Sequence, residues 1–262
     1  MTTFQKVIKY LAMAFAIFLT VGIIGSVLSI VGLFSGDAVN EEIKSYKISS
    51  EITELEVKIN AADFTIKQGE AFSMESNLKH LTVEDKNGVL NIKETKKFGS
   101  IYNDAKLILY IPKDSSFEKA NIVTGAGKLT VEHLSADTMN FELGAGEVKI
   151  DTLIATLNAD IDGGAGKLTI SGGALHNLDL DMGIGQLNLT SALSGESELD
   201  LGVGESNITV SGNRDDYKLD IEKGIGSITL DGKEVSNIKD KGNGNNTIDV
   251  SGGIGSINLK FK

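Results

Sequence analysis

The sequence predicts an all-β protein: a parallel β-solenoid, β-helix-like, of about 20-residue repeats, preceded by one N-terminal transmembrane helix. Three observations predict it. A Gly-x-Gly step recurs at near-constant spacing from Gly125 to Gly253. Apolar and polar residues alternate on both sides of each step. One long uncharged apolar stretch stands apart, before residue 36.

The elements follow in chain order. Residues 1–9 carry Lys6 and Lys9 and read as a cytoplasmic N-terminus. Residues 10–36 read as the transmembrane helix. Its core, 11–34, is LAMAFAIFLTVGIIGSVLSIVGLF, 24 residues without a charge. At ~1.5 Å per residue this spans about 36 Å, enough for a ~30 Å hydrocarbon core with some tilt. It is too long for the apolar region of a cleaved signal peptide, and no clear cleavage site follows. Asp37, Glu41 and Glu42 follow it, so the positive-inside rule places residues 37–262 outside the membrane. Gly22/Ser26 and Gly25/Ser29 are small-xxx-small pairs of the kind that pack two such helices, or are incidental. Residues 37–47 read as a linker.

Residues 48–117 read as an irregular β part or cap. Leu55/Val57/Ile59, Phe64/Ile66, Leu90/Ile92 and Leu107/Leu109/Ile111 alternate, and Asn87-Gly88 is a turn signal. Lys93–Asp104 reads as a polar loop. Pro112 closes a strand, where its missing N–H does least harm.

Residues 118–262 carry the regular repeats. Gly125, Gly144, Gly164, Gly183, Gly202, Gly224 and Gly253 open seven copies, spaced 19, 20, 19, 19, 22 and 29 residues apart. Six residues after each glycine stand Val131, Ile150, Ile170, Leu189, Ile208, Leu230 and Leu259. Four after, the residue is again apolar except at Ser206, read as a tolerated small polar residue. The residue between is polar. Each repeat therefore holds two short strands, each with one buried face, and Gly-x-Gly is the corner between them. Val131, Ile150, Ile170, Leu189 and Ile208 should form one internal column. A unit this small cannot bury its apolar face alone and must stack on its neighbours. Lys260 and Lys262, on the last strand, would discourage a further chain from adding to an open edge.

The same glycines raise a nucleotide question. GAGKLT at 125–130 and 164–169 resembles a phosphate-binding loop. That loop needs a glycine five residues before the one preceding lysine, and a hydroxyl after the lysine. Here those places hold Ile122 or Ile161, and Leu129 or Leu168. A strand follows instead of a helix, so no nucleotide site is expected.

Composition excludes more. The 25 basic residues less Lys6 and Lys9 leave 23 against 36 acids, a net of −13 beyond residue 36. Nucleic acid needs a basic footprint, so it is not an expected partner. No cysteine means no disulfide, no thiolate metal site and no cysteine nucleophile. No cofactor is expected.

One pattern does not follow from folding. Asp160/Asp162, Asp179/Asp181, Glu198/Asp200 and Asp220/Glu222 stand four and two residues before successive corners, on the face opposite the apolar position. Stacking lines them up as like charges, which is destabilising. They form a strip that gathers cations or a basic envelope partner, or else a solvated face. Carboxylates select hard cations such as Ca²⁺, though such a strip would hold them diffusely. Catalysis by a carboxylate pair needs two acids in unlike environments. These repeat uniformly, and Arg214 is the only arginine. His80, His133 and His176 share no repeat position and read as ordinary polar residues.

Leu109-Tyr110-Ile111-Pro112-Lys113, followed by Gly-Ala-Gly and Gly-Ile-Gly repeats with apolar alternation, resembles the bacterial putative-adhesin family of β-strand-repeat domains, a domain of unknown function. The similarity covers roughly residues 50–262. It implies a membrane-anchored or envelope protein with a β-strand-repeat fold. The expected role is non-enzymatic binding, adhesion or scaffolding at the cell envelope. The alternatives are envelope-stress sensing with a membrane partner and a polysaccharide-active β-helix enzyme.

Overall fold

The computed structural model describes residues 39–49, 51–95 and 104–262. The expected helix over 10–36 lies outside the described residues, as do Lys6, Lys9 and the 22/26 and 25/29 pairs. Among the described residues no helix is long and apolar enough to cross a membrane.

The described chain is all-β, apart from one 3-10 turn at Arg214–Asp216. Its strands join in one sheet that coils back on itself. The coil begins with β1 (Val39–Lys47), β2 (Glu54–Gly69), β3 (Ser73–Leu78), β4 (Leu81–Lys86), β5 (Val89–Glu94) and β6 (Lys106–Pro112). β7 (Phe117–Ile170) then winds through successive turns, followed by β8 (Gly173–His176), β9 (Leu178–Ser194) and β10 (Glu196–Val210). The C-terminal part holds β11 (Tyr217–Glu222), β12 (Ile225–Leu230), β13 (Lys233–Val235), β14 (Ile238–Lys241) and β15 (Asn246–Phe261).

Successive turns stack in parallel with their repeat positions aligned. β9 pairs with β7 through Ile161↔Leu180, Gly166↔Gly185 and Ile170↔Leu189. β10 pairs with β9 through Leu199↔Leu180, Gly204↔Gly185 and Ile208↔Leu189. Val131, Ile150, Ile170, Leu189 and Ile208 are all buried, so the internal column lies where alternation puts it. The corner is built by glycine because stacked carbonyls leave no room for a side chain. Gly185 has φ 144°, and a Cβ there would overlap the carbonyl oxygen of Gly166 one turn below.

Four features differ from the sequence reading. Three successive turns have a third strand segment. Leu153↔Gly173 and Ala155↔Leu175 pair in parallel, and Leu175↔Leu193 continues the column. These segments are only a few residues long and lack a regular alternation, so periodicity does not mark them. The stretch 37–47, read as a linker, contains β1, which pairs antiparallel with β3.

The third difference is the order of the turns. β15 does not close the coil. It lies between β10 and β11/β12, with Ile208↔Leu259 on one side and Leu230↔Leu259 on the other. Lys260 therefore sits on an interior strand, and the edge-protection reading of the C-terminal lysines is overturned. An amide ladder runs through the insertion. The Asn207 side-chain amide donates to Asn188 Oδ1 (3.2 Å), Asn258 donates to Asn207 Oδ1 (2.9 Å), and Thr229 Oγ1 donates to Asn258 Oδ1 (2.8 Å). The far end of β15 is clamped. The Tyr217 and Phe261 rings lie 5.2 Å apart, the Arg214 guanidinium stands 5.4 Å from the Phe261 ring centre, and the Tyr217 hydroxyl donates to the Leu193 carbonyl at 2.9 Å.

At the other end, β2 is a full turn beneath the first Gly-x-Gly step, through Ala61↔Ala126 and Ile66↔Val131. β5 and β6 both pair with β2 in parallel, and antiparallel β4, β3 and β1 lie beyond them. Glu94, read as part of a polar loop, is buried. Its carboxylate accepts hydrogen bonds from the backbone N–H groups of Asn60 (2.8 Å) and Ala61 (3.4 Å). It serves backbone donors of the first corner.

Candidate functional site: an acidic strip and groove

Alternation within each turn sends Ile161, Leu180, Leu199, Val250 and Ile221 inward and their neighbours outward. The parallel register then sorts the outward carboxylates into two columns. One runs Asp160, Asp179, Glu198, Asp249, Asp220. The other runs Asp162, Asp181, Asp200, Ser251, Glu222. Neighbouring members sit one strand spacing apart, ~4.8 Å. Of the eight acids singled out from sequence, seven are exposed and Asp220 is half-buried. Asp220 and Glu222 do not adjoin Glu198 and Asp200, because β15 places Asp249 and Ser251 between them. The hydroxyl of Ser251 thus relieves the second column where the first continues with a carboxylate.

The columns carry the electrostatic signature of crowding. Asp160, Asp181, Glu198 and Asp249 all have pKa values raised above the ordinary carboxyl range. Partial burial is the largest cause in each, and neighbouring carboxylates add to it. For Asp181 those neighbours are Asp200, Asp179, Asp162 and Asp160. Ion pairs such as Lys128–Glu147 (3.6 Å) and Lys149–Asp151 (2.9 Å) lie beyond the corner, away from the strip.

A carboxyl whose pKa rises on folding holds its proton more tightly in the folded state. Its stabilising contribution is fully present below the ordinary value, 3.8 for aspartate here, and is lost as pH rises through the raised value. Mild acidification from neutral pH should therefore raise the thermal midpoint at low salt, until acids elsewhere in the fold begin to protonate. Asp181→Asn should raise the midpoint at pH 7 and flatten this slope. Thermal scans across pH 4.5–7 of parent and variant check it, and an unchanged slope would show that Asp181 does not contribute.

The first column also borders an open groove of about 800 Å³, lined by Asp179, Glu198, Asp249, His176, Asn177 and Asn245 among others. Side-chain amides brace its backbone. Asn177, in the left-handed region at φ 47°, donates from its amide to the Leu157 carbonyl (3.2 Å) and accepts from the Glu196 backbone N–H (3.1 Å). Asn246 accepts from the Gly195 N–H at 2.9 Å. His176 Nδ1 shares a hydrogen bond with Ser194 Oγ at 3.0 Å. The sequence reading named neither Asn177 nor the groove. No other histidine shares the repeat position of His176, yet the fold brings it to the rim of the groove. Among the described residues no three His, Asp or Glu side chains converge as a metal centre.

Comparison with curated proteins finds no match for the chain. Among solved structures the chain is similar to a putative adhesin from Bacteroides fragilis, 15% identical, with a TM-score of 0.50, covering 84% of this chain and 98% of that one. It is also similar to a putative cell adhesion protein from Clostridium sporogenes (14% identity, TM-score 0.35, 84% and 99% covered). A putative lipid binding protein from Parabacteroides distasonis is a third (15% identity, TM-score 0.39, 87% and 100% covered). At these identities the likeness concerns the fold alone. In sequence, the Toastrack DUF4097 family model matches residues 52–259, spanning both the irregular β part and every Gly-x-Gly turn. The chain belongs to the Toastrack DUF4097 family.

Proposed function

We propose that this chain is a non-enzymatic binding or scaffolding module of the cell envelope, held to the membrane by residues 10–36 with its solenoid outside. In this reading the acidic strip and its groove are the face that gathers cations or a basic partner. The observation that carries it is the in-register pairing of carboxylates beside an open groove. Like charges stacked at one strand spacing cost stability, and neither the core nor the corners require them. The uniformity of the columns favours binding over catalysis, because no acid is set apart from its neighbours as a proton donor or nucleophile. The solved structure from Bacteroides fragilis, named as a putative adhesin, supports a binding role for the shared fold. With no converging metal centre among the described residues, cations would be held along the columns as a diffuse layer.

The test compares thermal stability in millimolar CaCl₂ with that in NaCl of equal ionic strength. Both salts screen the repulsion, but only a strip that gathers divalent ions distinguishes them. A specific calcium gain is expected, and it should vanish in Asp179→Asn/Asp181→Asn. Equal stability in the two salts would leave the strip as a solvated face. Protease added to whole cells checks the placement. It should clip the solenoid without membrane rupture.

A further inference from the structure

β1 forms an outer edge of the sheet. It pairs with β3 through Val39↔Leu78 and, after a register shift that leaves Ile43 outside the regular ladder, through Lys44↔Ser76, Ser45↔Glu75, Tyr46↔Met74 and Lys47↔Ser73. Among the described residues no strand pairs with its other side. An open edge is a template for another strand unless it is blunted. The terminal strand β4 is blunted, since Glu84, Asp85 and Lys86 are all exposed on it. β1 also carries exposed Glu42, Lys44 and Lys47, but between the first two it presents Ile43, 59% exposed and the most exposed large apolar side chain described.

The order Glu42-Ile43-Lys44 is complementary to itself. Two identical antiparallel strands related by a two-fold axis must be centred on a residue, because paired residues have to turn their N–H and C=O groups toward each other. Centring on Ile43 sets Ile43 against its own copy. It sets each Glu42 opposite the Lys44 of the other chain, on the opposite face. Centring on Lys44 would oppose two lysines, and centring on Ser45 would oppose Ile43 to Lys47. Apolar contact and charge are matched together at Ile43 alone of these three registers.

We propose that β1 pairs antiparallel with β1 of a second copy of this chain, centred on Ile43. A single strand pair is a small interface, so the association is weak for free molecules. It gains from any tether that holds two copies close, such as the membrane helix proposed above. The pairing itself does not depend on the acidic strip.

The chain has no cysteine, so one introduced thiol reports one contact. On the axis the two Cα atoms stand ~4.5–5.5 Å apart, within disulfide reach. Two residues away, at Ser45, the two copies are displaced by about 14 Å along the strands, beyond that reach. The experiment is mild oxidation of the full chain in membranes, as Ile43→Cys and separately as Ser45→Cys. A disulfide-linked dimer is expected for Ile43→Cys, at least tenfold more than for Ser45→Cys. Adding Glu42→Lys to Ile43→Cys opposes two lysines and should abolish the dimer, and exchanging both charges, Glu42→Lys with Lys44→Glu, should restore it. No dimer from Ile43→Cys overturns the proposal. Equal dimer from both positions also overturns it, because that is random collision. Ile43 and Ser45 are exposed surface positions, so folding is not at stake in either variant.

Discussion

Ile170→Asp should abolish the folded solenoid. Ile170 is 1% exposed and sits in the internal column on Leu189. An aspartate there has no cation within the apolar column to pair with. Leaving a charge uncompensated in such a place costs several kcal/mol. That is comparable with the whole stability of an ordinary domain, about 5–15 kcal/mol. Because turns support one another only through their neighbours, a break in the middle leaves two stacks, each with a newly exposed end. Circular dichroism should lose its cooperative melting transition, and limited proteolysis should cut on both sides of residue 170. A variant that melts like the parent would place Ile170 outside the core.

Leu259→Ala should be as damaging as Leu189→Ala. Leu259 is 1% exposed and is covered by Ile208 on one side and Leu230 on the other. Removing a leucine from a packed interior costs roughly 2–5 kcal/mol, the spread reflecting how far the cavity can collapse. If turns stacked in chain order, residue 259 would lie on a terminal strand with one neighbour and lose much less. The comparison therefore reads out the turn order directly. Chemical denaturation of the two variants should give losses within about 1 kcal/mol of each other, since both are enclosed by turns above and below. A loss for Leu259→Ala less than half that for Leu189→Ala would contradict the insertion of β15.

What was legible in the sequence was whatever repeats. Gly-x-Gly with flanking alternation marked the corner, the two longer strands of each turn and the internal column, because side-chain direction follows strand period alone. The eight acids were assigned to one face by the same logic. The insertion of β15 was not legible, and the reason is the repetition itself. Asn207, Thr229 and Asn258 occupy equivalent positions, as do Ile208, Leu230 and Leu259, so either turn offers β10 a matching edge. What differs is the connecting segment and the clamp of Tyr217, Arg214 and Phe261, and neither recurs elsewhere. The groove was missed for a related reason. Asn177 and Asn246 act through backbone groups of neighbouring turns, and His176 comes to line one groove with Glu198 and Asp249 only after the chain has coiled.

The insertion of β15 also has a consequence for how the molecule is made. A ribosome delivers this chain from residue 1 onward, and turns up to β10 can be laid down as they emerge, each on a finished template. β11 and β12 emerge next, yet their final parallel neighbour, β15, does not exist until residues 246–261 have been synthesised. Either they wait unpaired, or they dock first on β10 in the equivalent register and are later displaced. In the second case the last stage of assembly is an exchange of partners that waits on residues 246–261. A transcript truncated ahead of residue 246 would yield a protein missing an inner layer of its wall, with the outer layer free to occupy the vacant place.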